Sequence, residues 1–217
     1  MPFYFRIFDL IFSFLGLFVL IPVLGITYLT IFLFECRSPL FRQIRIGKHK
    51  KPFTMLKFRT MPAGTKSVPT HELENMKFSI IGRWLRASKL DELPQLINVM
   101  YGDMSLVGPR PLVTKTFTAY NEEVQSKIYN VKPGLTGIGS IIFRDEESII
   151  SAVTDEDPHE FYKRIIAPYK GELEMWYQEH NSFFLDLQLI FMTAWVILSP
   201  TSKLYEKWFK DLPKRNF

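Results

Sequence analysis

Residues 10–34 read LIFSFLGLFVLIPVLGITYLTIFLF, a run without one charged side chain. At a rise of about 1.5 Å per residue, a helix of this length covers a hydrocarbon core of roughly 30 Å. A secretory signal has a shorter apolar stretch followed by small residues at a cleavage site. This run leads instead into Glu35, Cys36 and Arg37, so it reads as a retained membrane element. Pro22, near its middle, removes a backbone donor and crowds the preceding turn, so the helix is expected to break or kink there. Arg6 precedes the run, and Arg37, Arg42, Arg45, Lys48, Lys50 and Lys51 follow it. Positive charge on both sides fits a re-entrant hairpin with both ends cytoplasmic, and a single kinked spanning helix is the alternative.

A chain of 217 residues accommodates one core plus this membrane element, which divides it into an embedded segment, 1–36, and a catalytic domain, 37–217. The net charge of +5 suits an anionic partner of any kind: nucleic acid, phospholipid headgroups or a diphosphate. Cys36 stands alone, which excludes an intramolecular disulfide and a thiolate metal cluster and is compatible with a reducing compartment. His49, His71, His159 and His180 lack ligand spacing, and no Gly-x-Ser-x-Gly elbow, Walker loop or dinucleotide fingerprint occurs.

Downstream of the run, Leu40 to Ile46 and Phe53 to Met61 flank a turn signal at Gly47 to Pro52 and predict a β-hairpin. Alternation then puts Met55, Lys57 and Arg59 on one face. Pro62 to Glu74 reads as a polar loop, and Lys77 to Met100 as helix interrupted around Ser88 to Pro94. Gly102 to Pro111 is turn-rich, and helical periodicity returns over Thr114 to Tyr129 and Pro158 to Glu179. Phe183 to Leu198 is apolar but short for a spanning segment, so it reads as a buried or interfacial helix. The tail from Ser202 mixes aromatic and basic residues, a composition suited to a headgroup surface. The predicted class is α+β and α-rich, with a small β element and amphipathic interfacial helices.

The interruption holds the chemistry. Ser88 stands three residues before Asp91, and Pro94 follows Glu92, a pattern that predicts a capped helix start with both acids in its first turn. Backbone N–H groups there favour negative charge, which would seat a carboxylate nucleophile and an incoming phosphoryl group. Adjacent acids diverge, so Asp91 can attack while Glu92 holds a divalent metal. A plain capping box with a solvated second acid is the simpler reading of this pattern alone. Its cationic frame favours the first: Lys57 and Arg59, Arg83 and Arg86 one turn apart, and Arg110 fixed between Pro109 and Pro111. The acidic run Asp145-Glu146-Glu147 reads as a solvated helix start.

Lys57-Phe58-Arg59-Thr60-Met61, Gly82-Arg83-Trp84-Leu85-Arg86, Leu90-Asp91-Glu92-Leu93-Pro94 and Gly108-Pro109-Arg110-Pro111 together closely resemble the monotopic phosphoglycosyl transferases of bacteria. Lys132-Pro133-Gly134-Leu135-Thr136-Gly137 and the stretch from Trp176-Tyr177 to Leu187 extend the resemblance over nearly the whole chain. It implies a two-step reaction at the cytoplasmic face of the bacterial inner membrane. Asp91 would attack the sugar-bearing phosphate of a UDP-sugar and release UMP, after which polyprenol phosphate, commonly undecaprenyl phosphate, would take the sugar phosphate and start glycan assembly.

By the same resemblance Glu92 is the Mg²⁺ ligand, Lys57 and Arg86 contact phosphates and Arg110 seats the nucleotide. Arg59 joins these substrate-binding residues through its strand face. Glu174 stands where the family frequently has Asp, and Ile21 where it commonly has Ser before the proline. The segment from Ile138 to Arg144 departs from the commoner tryptophan-containing version, so no sugar specificity transfers. Two other readings are a membrane-anchored glycosyltransferase that releases UDP, and a non-catalytic basic scaffold, although no nucleic-acid motif accompanies the basic surface.

Overall fold

The computed structural model describes residues 3–35, 38–61 and 79–215, leaving out the side chains of Glu35 and Glu147. The predicted polar loop from Pro62 to Glu74 lies outside these residues.

Helix α1 runs from Phe3 to Glu35 with Pro22 inside it. The expected break does not occur. Proline removes one bond, to the Phe18 carbonyl, and the rest of this long apolar helix carries across the gap. Its two ends are held by the same body of protein. Near the start, Arg6 donates to the carbonyls of Val99 and Met100 at 2.6 and 2.7 Å. Buried Asp9 accepts from the Ser105 hydroxyl and from the Leu106 amide at 2.9 Å. Near the end, fully buried Ile31 packs with Phe58 and Leu85. The opposite face leaves Phe14, Phe18, Val19, Ile26, Leu29 and Leu33 exposed.

Strands β1 (Leu40–Ile46) and β2 (Pro52–Phe58) form the predicted antiparallel hairpin, with Gln43 opposite Met55. Helices α2 (Ile80–Ala87) and α3 (Gln95–Tyr101) follow, separated by a single 3₁₀ turn over Leu90–Glu92. Then come β3 (Ser105–Val107), the short helices α4 (Thr114–Phe117) and α5 (Glu122–Lys127), and β4 (Gly134–Thr136). Strands β3 and β4 pair in parallel, Ser105 with Gly134 and Val107 with Thr136, and β3 falls inside the segment expected to be turns.

The C-terminal half is helical: α6 (Ile138–Ile142), α7 (Glu146–Ser151), α8 (Pro158–Phe161), α9 (Ala167–His180), α10 (Phe183–Leu198) and α11 (Leu204–Trp208). A π-helical stretch over Tyr162–Ile166 joins α8 to α9, so Pro158 to His180 is continuous much as predicted. Ser182 caps α10 by accepting from the Leu185 amide, and the Tyr177 hydroxyl donates to buried Asp186 at 2.8 Å. Along α10, Leu185, Leu189, Met192 and Val196 recur at helical spacing and enter the core. Phe184, Phe191, Trp195 and Leu198 stay outside, and Phe191 stacks on Trp208 with ring centroids 5.3 Å apart. The fold is α-rich α+β with one long apolar N-terminal helix, as expected.

Candidate active site

The predicted N-cap at Ser88 is not formed. The Ser88 hydroxyl turns back to the Trp84 and Leu85 carbonyls and closes the end of α2. That local bond competes with capping forward, and short hydroxyl side chains make either. Lys89 takes a left-handed φ of 60°, an uncommon conformation for a residue with a side chain, and redirects the chain. Asp91 and Glu92 therefore lie in a separate turn ahead of α3, whose N-cap is Pro94. Cationic side chains, more than a helix dipole, define their electrostatics.

Those cations arrive from three directions. Gly82 lets α2 press onto the end of the hairpin, since a Cβ there would fall 2.0 Å from the Thr60 carbonyl oxygen. This contact brings Arg83 and Arg86 to the same cleft as Lys57 and Arg59, which both lie over the Phe41 ring, 5.5 and 5.7 Å from its centroid. Arg110 arrives on the Pro-Arg-Pro loop. The Tyr129 hydroxyl donates to the Arg110 carbonyl at 2.8 Å and accepts from the Leu112 amide at 2.9 Å. Arg45 donates to the Pro111 carbonyl at 3.1 Å, and Gly134 to that of Pro109 at 2.8 Å.

The cleft has a volume of about 1080 Å³ and takes in Lys57, Arg59, Arg86, Asp91, Glu92 and Arg110. Six of the seven predicted site residues thus meet. Glu174 does not line it: at 2% exposure it stands behind the wall, accepting from the Arg110 backbone N–H. Burial pushes its carboxyl up to about 7 against the pull of Lys170. Its Oε2 has no hydrogen-bond partner among the described residues.

The two acids differ sharply. Burial, then the neighbouring Glu92 charge, pushes Asp91 up to about 6, while Lys57, Arg86 and Lys89 restrain the rise. Its Oδ1 is buried with no hydrogen-bond partner among the described residues. Burial also works to raise Glu92, but Arg110 overrides it with an ion pair of 2.6 Å and holds that carboxyl at about 2. Lys57 is lowered to about 8 by burial and by Arg45. At neutral pH the arrangement therefore keeps an ionised Glu92 beside an Asp91 that is mostly ionised and whose Oδ1 has no compensating hydrogen bond among the described residues.

No group of three or more His, Cys, Asp or Glu side chains forms a metal cage among the described residues. Glu92 offers one carboxylate, and an ion such as Mg²⁺ commonly takes one or two carboxylates and completes its shell with substrate phosphates and water.

Sequence reasoning missed several cleft residues. Glu146, expected to be solvated, forms an ion pair with Lys170, whose side chain is 3% exposed. Lys203, Tyr205 and Arg215 arrive from the C-terminal segment, which is pinned to α9. Trp176 donates to Asp211 at 3.0 Å, Tyr169 donates to the Pro213 carbonyl at 3.0 Å, and Phe209 is buried against Trp176. The aromatic-basic composition of the tail is the available signal, and it fits a cleft wall as well as a membrane surface.

Two carboxylates in a cationic cleft, backed by a long apolar helix, define a class that handles anionic substrates beside a lipid phase. The chain belongs to the bacterial sugar transferase family, whose model matches residues 2–200. It is 40% identical over 162 residues to the uncharacterized sugar transferase EpsL of Bacillus subtilis, covering 74% of this chain and 71% of that one. It is 32% identical over 194 residues to the UDP-glucose:undecaprenyl-phosphate glucose-1-phosphate transferase of Klebsiella pneumoniae, covering 87% of this chain and 39% of that one. Against the undecaprenyl-phosphate galactose phosphotransferase of Salmonella typhimurium, identity is 31% over 171 residues, 71% of this chain and 32% of the other. The chain thus spans well under half the length of these two transferases.

Proposed function

We propose that this protein transfers a sugar 1-phosphate from a UDP-sugar to a polyprenol phosphate, typically undecaprenyl phosphate, and releases UMP. The observation that carries the reading is Asp91: a carboxylate on a large cationic cleft, buried enough to remain poorly solvated and surrounded by enough positive charge to remain ionised. The printed activities of the Klebsiella and Salmonella relatives supply the substrate class.

An Asp91 oxygen attacks the sugar-bearing phosphorus of the donor, and the bond from that phosphorus to the bridging oxygen breaks, so UMP leaves with the electron pair. A phosphate oxygen of the acceptor then attacks the same phosphorus. The bond to Asp91 breaks, the carboxylate is restored, and a polyprenol diphosphosugar departs. Lys57, Arg59 and Arg86 stabilise charge on the transferring group, and Arg110 holds Glu92 in place and borders the nucleotide. Mg²⁺ held by Glu92 with the donor phosphates would neutralise diphosphate charge.

Residues 1–36 anchor the enzyme and 37–217 catalyse at the cytoplasmic face of the inner membrane, where cell-surface glycan synthesis begins. A helix of 33 residues is about 50 Å long, yet α1 touches the catalytic body near both ends. Crossing the bilayer would carry one end away from that body, so these contacts support an anchor that stays on one side of the bilayer.

The test is to incubate detergent-solubilised protein with Mg²⁺, undecaprenyl phosphate and a panel of UDP-sugars. UMP should be the nucleotide product, and without acceptor the peptide bearing Asp91 should gain the mass of a sugar phosphate. UDP as the product would establish sugar-only transfer instead.

A further inference from the structure

Helix α2 has two working faces. Arg83 and Arg86 turn to the charged cleft, whereas Ile80, Ile81, Trp84 and Leu85 turn to a second cavity of about 460 Å³ between α2 and the second half of α1. This volume falls within the roughly 300–1,000 Å³ common for ligand sites. Val23, Ile26, Thr27 and Thr30 of α1 complete its wall, so no charged side chain lines it among the described residues. Ile80 and Trp84 are 80% and 61% exposed, and Ile26 is 67% exposed, which leaves the groove open along the apolar face of α1.

Consecutive residues line the two cavities: Leu90 lines the apolar groove and Asp91, the next residue, lines the charged cleft. A nucleotide sugar has no apolar chain to place there. An amphiphile with an anionic head bonded directly to a linear hydrocarbon fits both cavities at once, its phosphate beside Asp91 and its tail running past Leu90. We propose that this groove binds the isoprenoid tail of the acceptor, an assignment that rests on the polyprenol phosphate reading above. A polyprenyl phosphate has one tail and a terminal phosphate monoester joined to its first carbon, matching one apolar groove and one charged cleft lined by consecutive residues. A glycerophospholipid separates phosphate from tail by a glycerol unit and brings two chains.

Two measurements test this. A polyprenyl phosphate with a photoreactive diazirine in its first isoprene units, in phosphatidylglycerol nanodiscs, should label peptides bearing Ile26 or Trp84. Undecaprenyl phosphate should displace that label and added phosphatidylglycerol should not. Labelling elsewhere, or equal displacement by phosphatidylglycerol, overturns the assignment. In the second, Ile26→Trp fills the groove, and kcat/KM for undecaprenyl phosphate should fall by roughly 10-fold or more relative to that for a one-isoprene phosphate. An unchanged ratio overturns it as well. Absence of UMP with every donor would count against the proposed reaction, while the photolabelling would still decide the groove.

Discussion

The guanidinium of Arg110 donates to Glu92 Oε1 at 2.6 Å, so two residues to which the family resemblance gives nucleotide and metal roles are first each other's partners. The pair separates the roles of adjacent acids by making Glu92 a fixed charge and leaving Asp91 the titratable one. In Arg110→Met, Glu92 keeps its burial and loses its counterion. Its carboxyl should rise well above about 2, and stability should drop by about 2 kcal/mol, discounted because Arg110 is partly exposed. The depressed carboxyl contributes stability that is whole above pH 4.5 and lost as pH falls toward 2. Thermal melts of Arg110→Met, Glu92→Gln and the double variant should show the double losing less than the sum.

Adduct formation depends on ionised Asp91 and protonated Lys57, so its rate should rise with pH through about 6 and begin to fall as pH approaches 8. Because Lys57 lowers the Asp91 carboxyl, Lys57→Met should move that rise upward by about one pH unit. Asp91→Asn should lose about 10⁴-fold or more in single-turnover UMP release. Rapid-quench assays between pH 5 and 8 check all three; a Lys57→Met profile that keeps the wild-type midpoint would remove Lys57 from the electrostatic frame of Asp91.

Local signals were legible in the sequence, and distant ones were not. The apolar run, the hairpin and the interruption at Asp91 each depend on neighbours within a few residues, and each has its counterpart in α1, β1–β2 and the 3₁₀ turn. Ser88 was misread because its hydroxyl can cap forward or bond backward, and the choice was made by how α2 ends against Lys89. Three-residue strands have too little pattern to announce a parallel pair such as β3 and β4, which joins segments about 30 positions apart. Glu174 was recognised as a significant acid, but its place behind the cleft depends on the Arg110 backbone, 64 positions away in the chain.

Glu174 should leave a signature in the pH dependence of stability. Its carboxyl is raised by burial from 4.5 to about 7, so the contribution present below pH 4.5 is lost as pH rises through 7. In Glu174→Gln that titration is gone, and the fall in melting temperature between pH 5 and 8 should be smaller by an amount equivalent to a few kcal/mol. Melts of both proteins across this range provide the check, and parallel curves would contradict it.

Gly137 has a φ of 175°, ordinary extended backbone, so its requirement is one of space. A Cβ there would meet the Gly108 carbonyl oxygen at 2.2 Å, and Gly108 opens the loop that carries Arg110. Gly137→Ala must push that backbone away, at a cost of about 1–3 kcal/mol. Turnover should fall along with melting temperature, because the displaced loop draws Arg110 from Glu92. A variant that melts lower with an unchanged kcat would show that the loop absorbs the shift before it reaches the guanidinium.

The family match ends at residue 200, yet Lys203, Tyr205 and Arg215 border the same cleft as Asp91. The segment reaches that position through Phe209 against Trp176 and through Asp211, which also lies 3.1 Å from His180. Arg215→Ala removes one charge from the cleft mouth without touching these anchors, whereas Phe209→Ala releases the strap that presents all three side chains. Each should raise the KM for the UDP-sugar by about 10-fold, the loss expected for one charged hydrogen bond, with kcat changing little because neither residue touches Asp91. Steady-state kinetics on both variants separate a donor-binding wall from a purely structural strap. The wall requires Arg215→Ala to weaken donor binding at an unchanged melting temperature, whereas a strap would respond to Phe209→Ala alone.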